Sequence, residues 1–203
     1  MSITVDFHFD FGSPNTYYCH CVLPEIAERT GATFNYFPIL LGGVFRSTNN
    51  KSPMEQFADV KNKREYQALE SQRFMKKHSI NNFVFNENFP INTLPLMRGA
   101  VYCSDKDYYA DYIEAMYQAM WEQNLNMGDP EVIGSVLAKA GLPLQEIVEG
   151  TQDPEIKQRL IDNTTLSVER GNFGSPTFFV GDEMFFGKDR LRDVEEEIIA
   201  QQG

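Results

Sequence analysis

Positive charge is scarce in this chain. Its 18 lysines and arginines face 29 aspartates and glutamates, giving a formal net charge of −11 and a pI near 4.7. Nucleic acid needs a basic surface and none is visible, so no nucleic-acid partner is expected. An anion can still bind, but only through a local cluster of donors that opposes the overall field. Cysteine is scarce too. Cys19, Cys21 and Cys103 form an odd count, which supports no disulfide framework and fits a reducing compartment. No apolar run approaches a bilayer span. The start, Met1-Ser2-Ile3-Thr4-Val5-Asp6, carries neither a basic segment nor an apolar stretch of signal-peptide length. These absences predict a cytoplasmic protein with no membrane partner.

What is present suits a folded chain. With 203 residues, 42% of them hydrophobic and 23% charged, there is material for one domain, or one domain carrying an insertion. Ile3, Val5, Phe7, Phe9 and Phe11 alternate with Thr4, Asp6, His8 and Asp10, the period of a strand. Gly12-Ser13-Pro14 comes next, with Ser13 placed as N-cap and Pro14 at the first helical position. That helix runs to about Arg29 and stops at Gly31, and a second strand spans about Thr33 to Phe37. Residues from about Leu41 to Pro53 read as an irregular loop.

The next hundred residues read as helical. Ile113, Met116, Tyr117 and Met120 share one face of a helix over about 107 to 123, a stripe suited to core or a dimer contact. Asp129-Pro130-Glu131 and Asp153-Pro154-Glu155 are helix starts whose helices close near Gly141 and Gly171. Strands return at Thr177 to Val180 and Met184 to Phe186 around Gly181-Asp182-Glu183, a hairpin pattern. A last helix opens at about Asp189, with Asp189 as its cap, and buries Leu191, Val194 and Ile198. The fold class is therefore α/β, in the order β-α-β, helices, β-β-α: a thioredoxin-type domain over 1–45 and 172–203, with an all-helical insertion over 46–171.

In thioredoxin-like redox proteins the slot after the first strand holds Cys-x-x-Cys, its first thiol acidified by the helix N-terminus. Here it holds Ser13-Pro14-Asn15-Thr16. A hydroxyl does not exchange with a disulfide, so the redox reading fails at its central residue. Cys19 and Cys21 lie about 200° apart around the helix and do not pair readily. Cys19-His20-Cys21 has no second ligand pair, so no metal site is expected. Ser13 is also the kind of residue that simply caps a helix, and His8 the kind that sits satisfied in a core.

Five segments in register carry a resemblance: Phe9-Asp10-Phe11-Gly12-Ser13-Pro14, Asn50-Lys51-Ser52-Pro53, Phe89-Pro90-Ile91-Asn92-Thr93-Leu94, Gly174-Ser175-Pro176-Thr177-Phe178 and Phe186-Gly187-Lys188-Asp189-Arg190. Over essentially its whole length the chain resembles the 2-hydroxychromene-2-carboxylate isomerase and kappa-class glutathione transferase family, which has a DsbA-like fold. The resemblance implies glutathione as cofactor, with Ser13 as the catalytic serine that holds its sulfur as a thiolate. It implies that Asn50 contacts the tripeptide backbone and that Ser175, before a cis Pro176, pairs with the glutathione cysteine through its main chain. Asp189 and Arg190 would hold the γ-glutamyl end. Lys188 departs from the family, which usually has a small residue there.

The activity implied is isomerisation in aromatic catabolism: thiolate addition to an unsaturated aromatic-derived carboxylate, bond rotation, then elimination of the thiol. Lys51 or Arg46 are candidates to meet the substrate carboxylate, with Phe45 and Trp121 as candidate ring contacts. A homodimer is likewise implied by the resemblance alone. Two alternatives stay open: a kappa-like transferase that consumes glutathione, and a glutathione-binding module without catalysis. A redox function through Cys19 or Cys21 is disfavoured.

Overall fold

The computed structural model describes residues 3–203; Met1 and Ser2, the start of the expected 1–45 segment, lie outside the described residues. Strand β1 (Thr4–Phe9), helix α1 (Pro14–Thr30) and β2 (Thr33–Pro38) come first. Eight helices lie between β2 and the final strands: α2 (Leu41–Thr48), α3 (Pro53–Gln56), α4 (Lys63–Lys77), α5 (Leu94–Cys103), α6 (Tyr109–Trp121), α7 (Pro130–Lys139), α8 (Leu144–Gly150) and α9 (Pro154–Glu169). The chain closes with β3 (Thr177–Val180), β4 (Glu183–Phe186), a 3₁₀ turn (Lys188–Arg190) and α10 (Leu191–Gln202). This is the element order that the sequence pattern predicts.

The sheet runs β2-β1-β3-β4. The α1 crossover makes β1 and β2 parallel, whereas β3 lies antiparallel to β1, with Phe7 opposite Phe178. A two-residue turn, Gly181-Asp182, sets Val180 opposite Glu183, and Gly181 supplies the positive φ of +60° that such a hairpin needs. With a neighbour on each side, β1 has no free edge, so its C-terminal end is a fixed platform for the turn into α1.

The alternating pattern of β1 has a direct physical result. Val5, Phe7, Phe9 and Phe11 are wholly buried, and Phe7 stacks on Phe178 with ring centroids 5.0 Å apart. The opposite face is not the solvated one that its polar residues suggest. His8 and Asp10 are equally buried; the His8 imidazole bonds Ser167 and the Asp6 carboxylate pairs with Arg170, at the end of α9. The period of two reports which residues share a face, and α9 decides that both faces are covered.

Two expectations are corrected. The stretch from Leu41 to Pro53 contains α2 and runs into the single turn α3, which begins at Pro53. Gly42 and Gly43, which read as loop residues, lie inside α2; a Cβ on Gly43 would come within 3.1 Å of the Thr164 methyl on α9. Close helix packing thus overrides local propensity. The helix ends at Asn49, in the left-handed conformation at φ 54°. Asp189 does not cap the last helix: it lies in the 3₁₀ turn, and its carboxylate bonds Lys188. The buried positions of α10 are nonetheless Leu191, Val194 and Ile198. The stripe Ile113, Met116, Tyr117 and Met120 on α6 is core.

Helix α5 meets α6 at Gly99. A Cβ there would lie 2.1 Å from the Tyr112 hydroxyl, which is fixed by its bond to the Leu96 carbonyl. Gly99→Ala is expected to destabilise the fold by roughly 1–3 kcal/mol in chemical denaturation, because the buried ring has no room to retreat.

Candidate active site

Beyond β1 the chain turns sharply into α1, and the turn is held on every side. Asp10 is buried, and its two carboxylate oxygens accept the N–H groups of Gly12 and Leu41, each at 2.8 Å. Burial pushes its pKa up, against the pull of those two N–H groups and of Thr93. The Ser13 N–H donates to the Asp10 carbonyl at 3.1 Å, and the Thr16 hydroxyl lies 2.9 Å from the same oxygen. The indole N–H of Trp121 donates to the Phe11 carbonyl at 2.8 Å. A Cβ on Gly12 would meet the Thr93 methyl at 3.1 Å, so the turn approaches α5 as closely as glycine allows.

Ser13 occupies the N-cap position, yet its side chain makes no capping bond. The hydroxyl instead crosses to the Ser175 carbonyl at 3.1 Å, joining residues far apart in sequence. Pro14 has no N–H, and the N–H of Asn15 has no partner among the described residues. The start of α1 therefore presents a hydroxyl and an unsatisfied N–H at the positive end of a 17-residue helix dipole. The Ser175–Pro176 peptide is cis, as the sequence order predicts. The Ser175 N–H also lacks a partner among the described residues, while its hydroxyl donates to the His8 carbonyl at 3.2 Å.

The other candidates divide. The Asn50 side chain donates to the Phe173 carbonyl at 2.8 Å, clasping the end of α2 to the segment leading into Ser175. Helix α2 is thus tied to the site at both ends, by Leu41 to Asp10 and by Asn50 to Phe173. On this arm Phe45 is half-buried, and Arg46 and Lys51 are exposed, with no side-chain partner among the described residues. Trp121 is no ring contact: it is wholly buried, its N–H spent on Phe11. Arg190 is exposed and pairs with Asp193, and Asp189 pairs with Lys188.

No cysteine of the chain supplies a ready thiolate. Burial pushes Cys19 well up, Cys21 to about 11 and Cys103 to about 12. Among the described residues no group of three or more His, Cys, Asp or Glu side chains is arranged to hold a metal ion. Among the described residues no helix is long and apolar enough to cross a membrane.

Several residues emerge only in three dimensions. Behind Ser175, the Asn172 side-chain amide donates to Ser167, and its side-chain oxygen Oδ1 accepts the Gly174 N–H and the Thr177 hydroxyl. Ser167 in turn lies 2.7 Å from the Nδ1 atom of His8. Phe173 and Phe186 pack tilted against each other beside the loop, ring centroids 4.5 Å apart and both partly exposed, and a Cβ on Gly174 would run into the Phe186 ring at 2.7 Å. In the sequence, Asp10 and His8 carried only the signal of polar residues in an apolar strand.

The family model of the DSBA-like thioredoxin domain matches residues 4–199. A 2-hydroxychromene-2-carboxylate isomerase from Pseudomonas putida is 30% identical over 191 residues, covering 94% of this chain and 92% of that protein. Glutathione S-transferase kappa 1 from Caenorhabditis elegans is 24% identical over 214 residues, covering 95% of this chain and 89% of that protein. A solved structure of 2-hydroxychromene-2-carboxylate isomerase superposes with a TM-score of 0.84 at 29% identity, covering 98% of this chain and 96% of that one.

The network behind Ser175 has a measurable signature. Burial, with a smaller contribution from Arg170, lowers the His8 pKa from 6.5 to about 3. A folded-state pKa below the unfolded one gives stability that is complete above pH 6.5 and lost as pH falls toward 3. Between those limits the unfolding free energy of the protein is expected to fall by roughly 3–5 kcal/mol more than that of His8→Gln, read from denaturation at each pH. Parallel pH curves for the two proteins would show that His8 is not held neutral by the fold.

Proposed function

The chain belongs to the 2-hydroxychromene-2-carboxylate isomerase and kappa-class glutathione transferase family of DSBA-like thioredoxin domains, and from that premise we propose that it is a glutathione-dependent isomerase of the 2-hydroxychromene-2-carboxylate type. The observation that carries this reading is the Ser13 hydroxyl, which is free of capping duty and faces the Ser175 carbonyl at the start of α1. That is a place for a sulfur brought by a ligand.

A hydroxyl has one hydrogen, and Ser13 gives it to the Ser175 carbonyl. The main chain of the glutathione cysteine, pairing with Ser175, would offer its own N–H to that carbonyl. Ser13 is then released to donate to the sulfur, so cofactor binding and thiolate formation are coupled. A free thiol has a pKa of about 8.5, and each unit of lowering corresponds to about 1.4 kcal/mol. The Ser13 hydroxyl, the Asn15 N–H and the α1 dipole together lower it. Ser13 acts as a donor that stabilises the thiolate; the sulfur is the nucleophile.

The thiolate adds to the conjugated double bond of the unsaturated acid, forming a carbon–sulfur bond as the π electrons move onto the conjugated carbonyl. The former double bond rotates as a single bond. Those electrons then return, the carbon–sulfur bond breaks, and the thiolate leaves unchanged. Glutathione is regenerated in each cycle, and no oxidant or reductant is needed. Arg46 and Lys51, on the arm tied to the site at Asp10 and Phe173, are the cations for the substrate carboxylate, and Phe45 is the ring contact beside them.

A kappa-like transferase is the second reading, favoured by the relationship to the Caenorhabditis elegans protein. It consumes thiol with turnover, whereas the isomerase does not. With glutathione and the chromene acid, Ser13→Ala is expected to lose roughly 10²-fold in turnover. The pKa of its bound thiol, followed by thiolate ultraviolet absorbance, should return toward about 8.5. Full activity in the absence of glutathione would sink this reading.

A further inference from the structure

We infer that His8 is a positioning residue for the thiol peptide. Acting through Ser167 and Asn172, it holds the Ser175 main chain ready to pair, and so sets the affinity for glutathione while leaving the reactivity of its sulfur to Ser13. The inference rests on the glutathione reading above and divides the labour of that site between its two halves.

Each residue of the 174–176 loop is held by a different partner. The Gly174 N–H donates to the Asn172 side-chain oxygen at 2.9 Å, and the Ser175 hydroxyl to the His8 carbonyl at 3.2 Å. The Pro176 carbonyl accepts the Gly187 N–H at 2.9 Å. What these bonds leave over is the Ser175 main chain. Its N–H has no partner among the described residues, and its carbonyl accepts the Ser13 hydroxyl. The loop thus presents one backbone donor and one backbone acceptor, already aimed, to an extended stretch of ligand.

Asn172 does not hold this arrangement alone. An amide side chain can turn end for end unless its neighbours distinguish nitrogen from oxygen. The Gly174 N–H can only donate, and the Thr177 hydroxyl adds a second donor at 2.8 Å, so both require oxygen. The Ser167 hydroxyl, 2.7 Å from the amide nitrogen, must then accept. Its one further side-chain partner among the described residues is the Nδ1 atom of His8, at 2.7 Å. Asn172, Ser167 and the imidazole are all buried, so solvent does not stand in for a lost member.

The imidazole itself is fixed. It stacks on Phe37 with centroids 4.5 Å apart and lies 4.7 Å from the Phe179 ring. His8 is also the register partner of Thr177 across β1 and β3. One strand residue therefore steadies the loop through its carbonyl, its ring and its pairing, and a ligand meets a backbone whose freedom is already lost. The Ser13 half is held separately, by Asp10 and Trp121 on the turn into α1. A loosened loop costs the ligand part of its main-chain pairing and leaves the hydroxyl and helix dipole at the sulfur in place.

Calorimetry and steady-state kinetics with glutathione test this. His8→Leu removes the ring nitrogens, and Ser167→Ala removes a single buried oxygen. Each is expected to weaken glutathione binding and raise its KM roughly tenfold. Turnover at saturating glutathione and the pKa of the bound thiol should stay unchanged, a split that general destabilisation does not produce. His8→Asn, whose amide can stand where Nδ1 does, should bind within about threefold of the unaltered protein. The inference is overturned if Ser167→Ala binds as tightly as the unaltered protein, or if the loss falls on kcat and the thiol pKa. It is overturned as well if His8→Asn fails to restore what a folded His8→Leu loses; Ser167→Ala decides the matter where His8→Leu does not fold. If glutathione does not bind the unaltered protein, the glutathione reading falls and the role of His8 with it. If it binds the unaltered protein and the variants alike, only the role of His8 falls.

Discussion

The buried carboxylate of Asp10 is the constraint from which the site hangs. Ending a central strand with a carboxylate in the interior is costly, and burial accordingly raises its pKa. The structure offsets that cost with N–H groups from two directions, Gly12 in the turn and Leu41 at the head of α2, and with Thr93 at the start of α5. One side chain thereby fixes the turn that presents Ser13, the beginning of the α2 arm and the approach of α5. Trp121 fixes the same turn from α6 through the Phe11 carbonyl.

The second support comes from the far end of the chain. Ser175 is useful only if its carbonyl faces Ser13, and the buried Asn172 sets that loop by accepting the Gly174 N–H and the Thr177 hydroxyl. Asn172 is in turn held through Ser167 to His8 on β1. Both halves of the site are therefore referred to the same strand: Ser13 lies just past its end, and Ser175 is oriented by a residue inside it. The cysteines stand apart from this arrangement, their thiols raised by burial while the donors at the start of α1 face none of them. In the proposed chemistry the fold keeps the anion-stabilising end of a thioredoxin-type helix and takes its sulfur from a ligand.

Strands and capped helices were legible because their signals are local. The alternation of β1, the Asp-Pro-Glu starts of α7 and α9, and Gly31, Gly141 and Gly171 with positive φ each report a backbone requirement within a few residues. The same locality misled at α2, where two glycines signal a loop and packing on α9 makes a helix. It misled at Asp189 as well, where a cap pattern precedes α10 but Lys188 takes the carboxylate. Trp121 looked available for a ring and is committed to the core.

The order of elements, the apolar face of the central strand, the emptied cysteine slot and the serine that stands in it follow from residue order alone, since periodicity, capping and residue chemistry act over a few positions. Long-range packing is what buries His8 and Asp10, brings Ser13 to Ser175 instead of leaving it to cap its helix, and takes Lys188 almost out of solvent beside Asp189. Those outcomes depend on which distant segment arrives to cover, accept or pair with each group. Packing of α9, β3 and the 3₁₀ turn against the first strand and helix supplies that information, and no short stretch of chain contains it.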